Sequence, residues 1–191
     1  PQKCLVKVGL ELFISEGWKV LDLISDKGFE IFLDLKLHDI PNTVANSVKK
    51  IANFNVALTT IHLNGGKDMI EAASLEKGSI KILGVSILTS MSKNEIFEIT
   101  NTEFDAYFNN LISIASNTNI DGIVCSPNEL DKLKNFNKLK VVPGIRNDIS
   151  DDDQKRVMSS LEAYQKGADF IVVGRPITKS EDPRKAAEFF L

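Results

Sequence analysis

The stretch FEIFLDLKLHDIPNTVANSVKKIANFNVALTTIHL, residues 29–63, reads as strand, helix, strand. Its ends, FEIFLDL (29–35) and VALTTIHL (56–63), are short runs rich in β-branched and aromatic residues, the pattern of buried strands. Between them Pro41 and Asn42 open TVANSVKKIANF, plausible chemistry for starting a helix. The same stretch poses a problem of charge, because Asp34, Lys36 and Asp39 fall directly behind an apolar run. Charge at the end of a buried strand is costly unless it is paired or used.

Working outward, the alternation continues along the whole chain. Further strands are expected at CLVKVG (4–9), IKILGVSI (80–87), DGIVCS (121–126), LKVVPG (139–144) and DFIVVG (169–174). Amphipathic segments lie between them. In LELFISEGWKVLDLISDK (10–27), Leu10, Phe13, Ile14, Leu21 and Ile24 recur near helical spacing, and PRKAAEFFL follows the cap Asp182 with Pro183 as its first position. Apolar strands alternating with helices predict an α/β protein with a parallel sheet covered by helices. Seven strand–helix units exceed the usual five or six strands of a doubly wound sheet, and no G-x-G-x-x-G follows a strand. An eight-fold barrel takes about 250 residues, compact ones near 200. The expectation is therefore one domain over residues 1–191, a (β/α)8 TIM barrel with seven units visible and the first missing. The absence of Met at position 1 and the immediate start of a strand predict a further N-terminal segment.

Composition narrows the function. The chain has 191 residues, 43% hydrophobic and 26% charged, with a net charge of -3. That is globular, and it lacks the Lys/Arg stripe of a nucleic-acid binder. No leader pattern and no apolar run of about 18 residues is present, so a membrane partner is not expected and the cytoplasm is. Cys4 and Cys125 show no CxxC spacing and are expected as two buried free thiols. The acidic run NDISDDDQKR (147–156) lacks calcium-loop spacing and reads as a solvated loop, with Gln154 and Arg156 placed to fold over a ligand. No Ser-His-Asp spacing, P-loop or zinc signature occurs.

Barrel enzymes react at the C-terminal ends of their strands. If side chains alternate, Asp34 and Lys36 project to one side of their strand near its end, and Lys7 lies near the end of CLVKVG. VVGRPIT (172–178) offers Gly174 and Arg175 as an anion site, and VVPGIR (141–146) brings Arg146 to the same rim. SILTSM supplies Thr89 and Ser90 as neutral hydrogen-bonding groups. His38 and His62 read as structural or supporting residues. This set suggests a phosphorylated substrate and proton or carbanion chemistry, with lysine as the acid.

DLKLHDIPNT (34–43) resembles the D-x-K-x-x-D-I-P-x-T signature of orotidine 5'-phosphate decarboxylases of the bacterial type. KVGLELF, VVPGIR, DDDQKRV and VVGRPIT extend the resemblance, in the family's order, over essentially the whole chain. The resemblance implies decarboxylation of orotidine 5'-phosphate to UMP in pyrimidine biosynthesis, with no metal and no cofactor. It implies that Lys36 protonates C6, that Asp34 faces the substrate carboxylate, and that Lys7 contacts the ribose and holds Asp34. It further implies a homodimer in which Asp39, with Thr43 near it, completes the partner's site. Thr89 would bind the pyrimidine, and Arg146, Gln154, Gly174 and Arg175 the phosphate. The family has a further strand upstream of KVG with an Asp that contacts the ribose, and without it the barrel is expected to have an open seam.

The charge problem then has a physical answer. Decarboxylation leaves an electron pair on C6, and a fixed ammonium both stabilises it and delivers the proton. Acids beside the lysines pair and aim them. Two rivals use the same residues differently: a Mg²⁺-dependent sugar-phosphate lyase, and a phosphate-binding protein with a decayed site.

Overall fold

A computed structural model describes residues 4–145 and 158–190. The order is β1 (Val6–Gly9), α1 (Leu10–Glu16), α2 (Lys19–Ser25), β2 (Ile31–Leu37), α3 (Pro41–Ile51), β3 (Val56–His62), α4 (Lys67–Leu75) and β4 (Lys81–Val85). It continues α5 (Lys93–Thr100), α6 (Phe104–Ser116), β5 (Gly122–Val124), β6 (Leu139–Pro143), α7 (Ser160–Gln165), β7 (Phe170–Val172), α8 (Arg175–Thr178) and α9 (Pro183–Glu188). The strands follow one another in the sheet in chain order, β1 to β7. The pairs β1–β2, β2–β3, β3–β4 and β6–β7 are parallel. Sequential parallel strands need helical crossovers, so this is the alternation of a (β/α) barrel through seven units. Six of the strands fall inside the runs that the sequence predicts, and β2 is displaced two residues towards its C-terminus.

The chain forms two compact units, one running to Ser86 and including Asn109–Gly122, the other comprising Ile87–Phe108 and Ile123–Leu191. In the first, Val8, Leu21, Ile31, Leu33, Ile51, Val56 and Ile80 form a core flanked by Phe13, Val20, Ile24 and Phe54. Ile31, Phe32 and Leu33 are all buried in succession, the non-alternating pattern of a parallel strand covered on both faces. Leu33 is fully buried, so Leu33→Ala is expected to cost about 2–5 kcal/mol, measured as a lower denaturant midpoint.

The segment 10–27 is two helices rather than one. Gly17 takes φ 64 and its N–H bonds to Phe13 O at 2.8 Å, which ends α1. A left-handed residue suits Gly and cannot continue a helix. The break rotates the two halves, so Leu21 is buried while Leu10 and Ile14 are 55% and 74% exposed. Trp18, at the joint, stacks on Phe54 with ring centroids 4.6 Å apart.

The second unit buries Phe104, Phe108, Leu130, Leu133, Val141, Val142 and Ala163. Ser92 and Glu95 form a reciprocal capping box at the start of α5. Asp182 caps α9 as its position ahead of Pro183 predicts, accepting from Lys185 N at 3.0 Å. The two cysteines differ. Cys125 is buried, and burial pushes its thiol pKa up, with Glu129 adding to the shift and Lys140 opposing it. Cys4 is exposed, against expectation, because β1 begins only at Val6 and the run CLVKVG is not strand at its start. Among the described residues, no helix is long and apolar enough to cross a membrane.

Candidate active site

The C-terminal ends of β1 and β2 assemble a compact charge cluster. Register pairs Lys7 with Phe32 and Gly9 with Asp34. A Cβ on Gly9 would lie 3.1 Å from Lys7 Nζ, so the missing side chain leaves room for that ammonium beside Asp34. Lys7 Nζ stands 3.4 Å from Asp34 Oδ2. Lys36 Nζ donates to both oxygens of the same carboxylate, at 2.8 Å each. Two ammonium groups thus share one carboxylate, whose side chain is only 13% exposed against 34% for Lys7 and 36% for Lys36. Burial pushes the Asp34 carboxyl pKa up. The hydrogen bond and charge of Lys36, the charge of Lys7 and the Thr60 hydroxyl outweigh burial, and the pKa lies below the ordinary carboxylate value.

Lys36 reaches Asp34 by a route that strand alternation does not supply. Leu33 pairs with Thr59 and Leu37 with Ile61, so residues 34–36 of β2 oppose the single residue Thr60 of β3. Lys36 occupies φ 53, in the left-handed region that a residue with a Cβ seldom enters. Such strain persists only where the surroundings hold it, and it concentrates at functional sites. The buried Thr60 is the surrounding group here. Its hydroxyl accepts from Lys36 N–H at 2.9 Å and donates to Asp34 Oδ1 at 3.0 Å. Thr60 is not among the candidates named from sequence. The available signal was the pair Thr59–Thr60 in an otherwise apolar strand, since buried hydroxyls need partners.

The model of the orotidine 5'-phosphate decarboxylase / HUMPS family matches residues 1–190. The chain belongs to this family. It is a decarboxylase, a carbon–carbon lyase. It is 41% identical to the orotidine 5'-phosphate decarboxylase of Laribacter hongkongensis, over 96% of this chain and 79% of that protein. Identity to the orotidine 5'-phosphate decarboxylase of Ehrlichia chaffeensis is 44%, over 98% of this chain and 84% of the relative. The crystal structure of orotidine 5'-phosphate decarboxylase from Lactobacillus acidophilus superposes with a TM-score of 0.86 at 36% identity, over 97% of this chain and 84% of that one.

Of the remaining residues singled out by the decarboxylase signature, Asp39 and Thr43 lie in the first unit, exposed at the start of α3. Asp39 Oδ1 accepts from Ile40 N–H at 2.7 Å. Among the described residues it forms no ion pair with Lys7 or Lys36 of its own chain. His62 is half-buried beside His38, with ring centroids 5.5 Å apart. Burial lowers the His62 pKa, and electrostatic interaction with His38 and Lys36 lowers it further against the pull of Asp34. In the second unit, Thr89 is half-buried in the turn after β4. Gly174 precedes α8 with open space where a side chain would stand, and Arg175 is half-buried. Arg146, Gln154 and the acidic run around Asp151 lie outside the described residues. Among the described residues, no group of three His, Cys, Asp or Glu side chains is arranged for a metal ion.

Proposed function

We propose that this decarboxylase converts orotidine 5'-phosphate to UMP in de novo pyrimidine biosynthesis, in the cytoplasm, as a single barrel domain without metal or cofactor. The observation that carries the reading is the shared carboxylate, with Lys36 Nζ held 2.8 Å from both oxygens of Asp34 and Lys7 Nζ on its other side. In the reaction the bond from C6 to the carboxylate breaks, CO₂ leaves, and the electron pair stays on C6. Lys36 Nζ transfers a proton to that carbon and regains one from solvent, so the net reaction consumes one proton and yields UMP and CO₂. A preorganised ammonium stabilises charge that develops only as the bond breaks, and it needs no solvent reorganisation to do so. Asp34 faces the departing carboxylate and holds Lys36 in line, while Lys7 meets the ribose. Thr89 binds the pyrimidine. Arg146, Gln154, Gly174 and Arg175 grip the phosphate, and remote binding energy spent there positions the ring.

The deciding experiment follows the ultraviolet loss of orotidine 5'-phosphate by the full-length protein with EDTA present. Turnover undiminished by EDTA is expected. No turnover from a folded protein overturns the reading, and turnover that EDTA abolishes would move the assignment to a Mg²⁺-dependent relative.

The working unit in this proposal is a homodimer in which Asp39, with Thr43 beside it, completes the partner's site. An exposed Asp39 that leaves its own chain's lysines unpartnered by it supports that reading. Mixing inactive Lys36→Ala with inactive Asp39→Ala protein is expected to restore activity, because each hybrid dimer contains one intact site. A mixture as inactive as its components would place Asp39 outside the partner's site.

A further inference from the structure

Thr60 is fully buried in β3 and bonds to two of the three members of the charge cluster, Asp34 and Lys36, without belonging to it. Its hydroxyl must accept from Lys36 N–H, so its own proton is directed to Asp34 Oδ1. Few groups can do both. A hydroxyl combines one donor with two lone pairs, whereas a backbone carbonyl only accepts and an apolar side chain does neither. The neighbouring Thr59, equally buried, instead donates across to Leu33 O of β2 at 3.0 Å, so the bifunctional contact is particular to Thr60.

That contact falls where the backbone is under strain. Among the described residues only Lys36 and Asn101 have positive φ without being glycine. Asn101 terminates α5, a place where Asn commonly takes this conformation, and its N–H bonds to Phe97 O at 2.8 Å. Lys36 has no such local device. Its amide is fixed by Thr60, three residues of β2 are bunched opposite this one residue of β3, and its Nζ is turned back onto Asp34.

We propose that Thr60 is a positioning residue, which locks the bulge at residues 34–36 and so aims the Lys36 ammonium and the Asp34 carboxylate as one unit. The role rests on the reading of Lys36 as the proton donor. Thr60 acts through these two groups. The hydroxyl is also among the influences that lower the Asp34 pKa, which supplies a readout separate from turnover.

The test compares Thr60→Val, which keeps the shape and loses the hydroxyl, with Thr60→Ser, which keeps the hydroxyl. Thr60→Ala accompanies them as a hydroxyl-free variant that introduces no added apolar bulk. Val and Ala are expected to lower kcat about 10–100-fold, because small misplacements of a reacting group have effects of that size. KM should stay within about threefold, since no substrate contact is removed, and Ser should restore most of kcat. Carbon-detected NMR of the full-length protein should show the Asp34 carboxyl titrating at higher pH in Val and Ala, and not in Ser. Wild-type kcat in either folded hydroxyl-free variant overturns the proposal, as does a Ser variant as impaired as Val. An unchanged Asp34 titration in Val and Ala overturns it even if the wild type shows no decarboxylation, an outcome that would separately remove the proposed function.

Discussion

Lys36→Ala is expected to abolish turnover, by about 10⁴-fold or more. In the proposed mechanism two effects disappear together: proton delivery to C6, worth about 10²–10⁴-fold, and the fixed positive charge beside the developing electron pair, worth about 10²–10³-fold. They belong to the same atom, so their losses overlap instead of multiplying in full. Binding should survive, because the phosphate is gripped elsewhere in the proposed complex. The check is kcat by ultraviolet assay alongside the Kd for UMP by calorimetry. A variant that keeps even a tenth of wild-type kcat would take the proton donor away from Lys36. Loss of UMP affinity in step with kcat would make Lys36 a binding group instead. Folding should be little disturbed, since the side chain is 36% exposed and its strained φ is held through the backbone amide.

Asp34→Asn carries the second large effect. It is nearly isosteric, so the space is kept while the charge shared by Lys7 and Lys36 is lost. Two ammonium groups then stand together without a counter-ion, Lys36 loses one of its two acceptors, and the Asn amide can present its donor side to a cation. A loss of about 10²–10³-fold in kcat is expected, the size of a removed preorganised electrostatic contact. Retention of wild-type kcat by a folded Asn variant would remove Asp34 from the catalytic set.

The same substitution tests a pH dependence of stability. The folded Asp34 pKa is below the unfolded value, so the native state binds fewer protons at this group. Its stabilising contribution is therefore complete above the ordinary carboxylate pKa of about 4, and it is lost as pH falls from there through the lowered value. Urea midpoints measured from neutral pH downwards should fall more steeply in this acid window for wild type than for Asp34→Asn. Parallel curves would show that the cluster leaves the Asp34 titration unchanged.

How much of this was legible beforehand depends on the range over which each feature is determined. Short Val- and Ile-rich runs bounded by Gly, Pro and Asp marked all seven strands, because burial on both faces of a parallel strand leaves a local signature. Asp182 and Pro183 marked the start of α9 for the same reason, a cap being a contact between near neighbours. Helical spacing alone did not reveal that residues 10–27 break. The decisive residue, Gly17, is tolerated in a helix and ends one only when its φ turns positive.

Within the site, the presence of Lys7, Asp34 and Lys36 at two strand ends followed from the sequence alone, as did the family signature that contains them. Their mutual distances did not. Alternation along β2 assumes extended backbone throughout, whereas Lys36 adopts φ 53 and three residues face one across β3. That departure depends on a hydroxyl 24 positions away, on Thr60, which no local pattern ties to Lys36. The sequence by itself determined the kinds of chemical group, their order and the alternating architecture, since composition and periodicity are local properties of the chain. Tertiary structure alone decided that two ammonium groups meet on one half-buried carboxylate, because the geometry is fixed by contacts between strands.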